Sequence, residues 1–302
     1  MTLDLKHLQS FIRIVEFGSL TRAAATLDVS QSLLSRQVRQ LEIELGTHLL
    51  ERNGRGVVPT EAGRELVEHG RGILRQVEVA RLSLGSVRGV QGGKLAIGVP
   101  PSVGSLLTVE LVTRFRERYP AAQISVVEAL SASLLEWLQL GRLDCALLYN
   151  PAVNANMRFR HVHSEMLHLI GSARDGMPEK VPLATLAQYP LIIPSPLHSV
   201  RQLIEADAAR YGVALDIRLE IDSVRSLLDL VERGLGYGVL SRNALFARRG
   251  DHGLQAVPIV MPSIMTRLVV ATPTQRPMSS ITERALALVD ELIAEGRLNP
   301  DA

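Results

Sequence analysis

The chain has 302 residues, 46% of them hydrophobic and 4% aromatic, and its 33 Lys+Arg against 31 Asp+Glu leave a formal net charge of +2. That is enough length and apolar content for two or three units with cores of their own. No apolar run approaches the roughly 20 residues of a membrane span, and the N-terminus lacks the charged and apolar regions of a secretory signal, so a soluble cytoplasmic protein is expected. The single cysteine, Cys145, sits in the apolar run 145–148, reads as a small buried side chain and excludes an intrachain disulfide. Residues 1–90 hold 12 Lys+Arg and 10 Asp+Glu, so any nucleic-acid contact has to come from pattern and not from a basic tail.

Residues 5–17 predict an amphipathic helix whose inner face is Leu8, Phe11, Ile12 and Val15. Ser19 is placed to cap a second helix over 20–27, with Leu20, Ala23, Ala24 and Leu27 inward; the alanines permit a close helix crossing. After a break at Asp28-Val29, Ser30 is placed to cap a third helix over 31–45. On it Leu34, Val38, Leu41 and Leu45 fall at i, i+4, i+7 and i+11, one side of the helix, while Ser32, Ser35, Arg36 and Arg39 fall on the other. Two helices about a tight turn over about twenty residues are the helix-turn-helix geometry. Hydroxyls and guanidinium forks suit phosphate oxygens and the acceptor edge of guanine. The plain alternative is a helical hairpin whose polar face is merely solvated.

Residues 49–58 read as two short strands about the Asn53-Gly54 turn, a wing, with Arg52 and Arg55 set for phosphate attraction. From Thr60, a possible cap, to about Val87 one long helix is expected. Leu66, Gly70, Ile73, Val77, Ala80 and Leu84 recur at heptad spacing, a seam expected to dimerise, with Gly70 allowing close approach; packing on its own chain is the alternative. The glycine-rich stretch 86–93 marks a hinge.

Beyond the hinge, strands are expected at 95–99, 124–128, 145–149, 167–170, 191–193, 217–221, 238–240 and 268–271. Helices are expected at 106–118, 133–140, 200–211, 224–233 and 280–294. Such alternation predicts largely parallel sheets in two Rossmann-like lobes, with short links near His161 and Met265. Ligands of open α/β sheets bind beyond the carboxyl ends of strands, where helix N-termini offer amide donors to anions. Pro100, Ser102 and Val103 follow the first strand, Ser131 the second, Tyr149 and Asn150 end the third, and Pro194, Ser195 and Ser199 precede a helix of the second lobe; with Asp222 they are candidate effector contacts, suited to a small carboxylate.

Ala23-Ala24, Leu27, Ser30-Gln31, Ser35-Arg36, Val38, Leu41-Glu42, Leu45-Gly46, Leu49-Leu50, Arg52, Thr60 and Gly63, at their fixed spacing, resemble the N-terminal domain of LysR-type transcriptional regulators. Ser32 stands where many relatives carry proline. The second half also resembles that family's effector domain, itself similar to periplasmic binding proteins. The segments that carry the likeness are 98–100, 128–131, 141–147, 193–195, 222–223 and 234–238, with Ala129 where glycine is common. Within the family the text is nearest to nitrogen-assimilation regulators.

The resemblance implies an α/β multidomain chain: a winged helix-turn-helix over 1–59, a dimerising linker helix over 60–88 and a two-lobed effector domain over 93–302. Lobe I would comprise 93–161 and 267–302, and lobe II 162–266. The expected DNA contacts are Thr21, Arg22, Ser30, Gln31, Ser32, Ser35, Arg36, Arg39, Arg52 and Arg55. The implied partners are double-stranded DNA at a dyad promoter site, the chain itself as dimer and tetramer, a small metabolite effector and RNA polymerase; neither cofactor nor metal is expected.

An enzyme is the competing class. His198-Ser199 and Cys145 invite a nucleophile argument, but no G-x-S-x-G, H-E-x-x-H or paired C-x-x-C is present. Gly234-x-Gly236-x-Gly238 imitates a dinucleotide loop yet precedes a strand instead of following one, so it reads as a turn.

Overall fold

The structure, a computed structural model, describes residues 3–53, 56–86, 93–247 and 253–298. Gly54 and Arg55 of the expected wing turn and most of the expected hinge lie outside the described residues, as do the side chains of Arg52 and Leu84. The chain divides into two compact units, Met1–Arg88 with Leu140–Arg142, and Gly89–Gln139 with Leu143–Ala302.

The first unit runs α1 (Leu5–Phe17), α2 (Leu20–Leu27), α3 (Gln31–Leu45), β1 (Leu50–Arg52), β2 (Val57–Pro59) and α4 (Glu61–Ser86). Its helix starts are sealed by side chains. Asp4 accepts from the Lys6 N–H, Ser19 from Arg22 and Ser30 from Leu33, each supplying an acceptor to a donor that the helix itself leaves open. The ends close with Gly18, Asp28 and Gly46 in the left-handed conformation. The break at Asp28-Val29 is thus a one-residue left-handed cap, for which a short polar side chain is tolerated. Leu8, Phe11, Ile12, Ala23, Ala24, Leu34, Val38, Leu41, Leu49 and Val57 form the core. On α1, Ile14 is fully buried and Val15 only partly, because α1 packs against α3 on one side and α4 on the other, which widens its inner face.

Thr60 fixes the entry to α4. Its hydroxyl accepts from the Gly63 N–H at 3.0 Å and donates to the His48 carbonyl at 2.8 Å. Along the expected seam, Leu66 packs on the same core and Gly70 faces α1, where a Cβ would stand 2.8 Å from Leu8 Cδ1. Ile73 and Ala80 are exposed and Val77 is half-buried.

The second unit runs β3 (Lys94–Val99), α5 (Pro101–Arg118), β4 (Gln123–Glu128), α6 (Ser131–Gln139), β5 (Cys145–Tyr149), β6 (Met157–Ser172), β7 (Val181–Pro182), β8 (Leu191–Ile193), α7 (Ser199–Arg210), β9 (Ile217–Glu220), α8 (Val224–Glu232), β10 (Tyr237–Ser241), β11 (Leu254–Val260), β12 (Met265–Pro273) and α9 (Ser280–Ala294). Strand order is β4-β3-β5-β12-β6-β10-β8-β9, with β11 on β6. In lobe I β4, β3 and β5 are parallel, and in lobe II β9, β8 and β10 are parallel. Parallel strands covered on both faces read as continuous apolar runs, and β5 is buried throughout.

The links near His161 and Met265 are not short. They are the long strands β6 and β12, antiparallel to each other from Met166↔Met265 to Met157↔Pro273, so the sheet is mixed where the sequence suggests a largely parallel one. Helix α5 begins at Pro101, five residues before apolar periodicity shows it, because proline is pre-set for the first helical position. Gly234 (φ +75°) and Gly236 (φ +151°) form the turn that leads into β10. Among the described residues no helix is long and apolar enough to cross a membrane.

Candidate nucleic-acid interface and ligand cleft

Capping by Ser30 and burial of Leu34, Val38 and Leu41 fix how α3 is turned. The opposite side presents Gln31, Ser32, Ser35, Arg36 and Arg39, all exposed. Thr21 Oγ1, at the start of α2, donates to Gln31 Oε1 at 3.4 Å, and the Ser30 and Ser32 hydroxyls pair at 3.0 Å, so the two helix starts share one polar edge. Arg22 lies exposed beside it, its N–H held by Ser19 and its carbonyl by Thr26. Neither Arg36 nor Arg39 has an acidic partner among the described residues, which leaves both guanidinium forks open for phosphate or base edges.

An open groove of about 540 Å³ runs beside this face, lined by Ser35, Arg39, Ile43, Thr47 and His48, with Leu50 and Val57 of the strands. Ile43, 66% exposed, and the pair Thr47 and His48 are absent from the sequence-derived contacts. For Ile43 a signal exists, since it falls seven residues after Arg36 on the polar side, where an isoleucine has no core to join.

In the second unit a cavity of about 40 Å³ lies between the lobes. Pro100, Ser102, Ser131, Tyr149 and Ser199 line it, together with His198, Ser241 and Thr266, which the sequence does not single out as effector contacts. Val103 is fully buried in the lobe I core. Pro194, Ser195 and Asp222 shape the loop before α7 instead of lining the cavity: Arg201 Nη1 donates to the Pro194 carbonyl, and the Ser195 N–H donates to Asp222 Oδ1 at 2.8 Å. That amide holds the Asp222 carboxyl below its ordinary value. Asn150 ties β5 to β12, giving Nδ2–H to Thr266 Oγ1 and taking the Arg267 N–H.

Tyr149 is bound at both its amide and its phenol. Its amide donates to Ser131 Oγ at 2.9 Å and its phenol donates to Glu165 Oε1 at 2.7 Å. Burial, with the Glu165 charge beside it, raises the phenol well above its usual range. His198 accepts from the Val200 N–H through Nδ1 and so caps α7; burial lowers its imidazole below the ordinary value, only partly opposed by Asp222. Cys145 is buried.

Comparison with known proteins decides the family. Residues 88–295 match the LysR substrate binding domain, and residues 5–64 match the bacterial regulatory helix-turn-helix protein of the lysR family. The chain belongs to the LysR family. It is a LysR-type DNA-binding transcriptional regulator with an effector-binding domain, and its relatives are regulators, not enzymes. The nitrogen assimilation regulatory protein of Klebsiella aerogenes is 32% identical over 98% of both chains. The OxyR dual regulator of Escherichia coli is 30% identical over 86% of each. Among solved LysR structures, CbnR superposes with a TM-score of 0.73 at 20% identity over 96% of this chain and 99% of that one; its complex with target DNA gives 0.72.

Proposed function

We propose that this regulator reads a dyad promoter site through paired winged helices, with Arg36, Arg39 and Ser35 on base edges, and Thr21, Arg22, Ser30, Gln31, Ser32, Arg52 and Arg55 on backbone and flanking contacts. The observation that carries this reading is the open guanidinium face of α3 opposite the apolar stripe of Leu34, Val38 and Leu41, which are buried, and Leu45, which is partly buried. Two copies pair along α4 and effector domains pair again, giving a tetramer that acts in the cytoplasm. CbnR has been crystallised with its target DNA, and the same fold supports the same mode of engagement here.

A small metabolite seated between the lobes, against Ser102, Ser131, Tyr149 and Ser199, favours one lobe closure over the other. Through the oligomer it changes the spacing of the reading heads, and hence DNA bending and contact with RNA polymerase. A ligand shifts such an equilibrium only by its differential affinity for the two assemblies. Selection of genomic fragments by the purified protein, followed by footprinting at several salt concentrations, tests the reading. A protected dyad is expected; salt-sensitive binding with no preferred sequence overturns it.

A further inference from the structure

We propose that the turn Leu140–Arg142 is the joint by which the effector domain acts on the DNA-reading head: it seats on α4, and its seating sets the bend that the bound protein puts in its DNA site. This rests on the reading of the chain as an effector-controlled regulator, and it names the contact that carries the control.

Three residues of the first unit, Leu140–Arg142, come from the middle of the chain. Each of them meets α4. A Cβ atom on Gly72 would collide with the Leu140 carbonyl oxygen, Gln76 Nε2 donates to the Gly141 carbonyl at 3.3 Å, and Arg142 Nη1 pairs with Glu68 Oε2. Glu68, Gly72 and Gln76 recur every four residues and so form one stripe of the helix.

A glycine inside a helix weakens it, so its presence calls for a packing reason. At Gly70 the reason is Leu8 of α1, and at Gly72 it is the turn. Two residues apart, at about 100° per residue, these glycines face nearly opposite sides, so α4 is gripped between α1 and the turn. Glu68 extends the grip. Its Oε1 lies 4.0 Å from Arg71 Nη1, and Arg71 Nη2 reaches Glu16 Oε1 of α1 at 3.2 Å. Half-exposed ion pairs contribute little each, so the steric fit at Gly72 is the stronger element. Ile73 and Val77 each lie about 100° round the helix from Gly72 and Gln76. Ile73 is 38% exposed, so the turn leaves room for a partner helix.

The residues flanking the turn are held firmly within the second unit. Arg276 Nη2 donates to the Leu138 carbonyl at 2.8 Å. Asp144, two residues after Arg142, takes the Ala96 N–H on Oδ2 and gives its own N–H to the Ala96 carbonyl, both at 2.8 Å. Ala96 belongs to β3, which leads into Pro100 and Ser102 on the cavity wall. A movement of β3 is thus passed to the turn by short, hydrogen-bonded backbone. Coupling of two sites needs one element that both of them bias, and the turn is continuous with the cavity wall while it touches α4.

Gly72→Ala in the full chain tests this. Alanine is the better helix former, so α4 keeps its helicity while the new methyl displaces the Leu140 carbonyl. Mobility shifts with the selected site at permuted positions are expected to show a changed bend, and footprinting a changed length of protection, with oligomer mass and affinity for a single half-site as in wild type. Should Gly72→Ala fail to fold, Arg142→Glu, which sets two carboxylates together at Glu68, is expected to change the bend as well. A wild-type bend and footprint in the folded variants overturns the proposal. Seating is read separately. With Glu68→Cys and Arg142→Cys in one chain, a short bismaleimide is expected to link the two thiols, because Cys145 is buried and does not compete. No link in the folded chain overturns the joint. A link formed in a protein that shows no preferred DNA site overturns the proposed function and with it the joint's control, leaving the turn as packing alone.

Discussion

A Cβ atom on Gly63 would collide with the carbonyl oxygen of Leu49, the same oxygen that takes the Thr60 N–H at 3.1 Å. Helix α4 therefore springs from the wing strand at a distance only glycine allows, and the T-x-x-G spacing of Thr60 and Gly63 has a steric cause. Gly63→Ala is expected to destabilise the N-terminal unit by about 1–3 kcal/mol, since backbone and not a flexible side chain has to move. Urea unfolding followed by circular dichroism measures this; an unchanged midpoint and slope would refute it.

Leu66 and Gly70 are turned toward the chain's own core, while Ile73 is 38% exposed. In Ile73→Asp a paired helix would bury a carboxylate with no partner, which costs a packed interface heavily. The expected result is a lower mass by light scattering with helical content retained. A wild-type mass would remove this helix from the proposed dimer.

His198 sets a pH dependence. Its folded pKa lies below the ordinary 6.5 because burial disfavours the imidazolium, so below 6.5 the unfolded chain binds a proton that the folded chain does not. Stability is thus full above 6.5 and falls as pH drops from there toward the folded value. His168, also lowered chiefly by burial, acts in the same direction. His198→Asn keeps an acceptor for the Val200 N–H and removes the titration. Its Tm is expected to fall less than wild type's between pH 7 and pH 5.5, and parallel pH profiles would count against the assignment.

The sequence makes the N-terminal unit legible in unusual detail, because short-range chemistry determines it. Ser19 and Ser30 cap where spacing says they should, and Leu34, Val38 and Leu41 point inward. Heptad spacing alone does not say which partner a small residue faces, and Gly70 meets Leu8 of its own chain.

The second unit is legible in its buried parallel strands and less so in its crossovers. Early in strand β6, Arg158, Arg160, His161 and Ser164 are exposed and only Phe159 and Val162 are apolar between them, which hides a strand held by β12. Strand β11 carries Pro258, a residue that argues against a strand yet is tolerated here opposite His168. Nothing in the residues around Glu165 marks it; only the fold brings Tyr149 to it from sixteen residues away.

Base reading by α3 is tested by affinity for the selected site and for a scrambled site, across a salt series, in wild type and Arg36→Ala. Wild type is expected to prefer the site, and the variant to lose about 1–3 kcal/mol, more on the site than on the scrambled sequence. Equal affinity and equal preference in both proteins would contradict it.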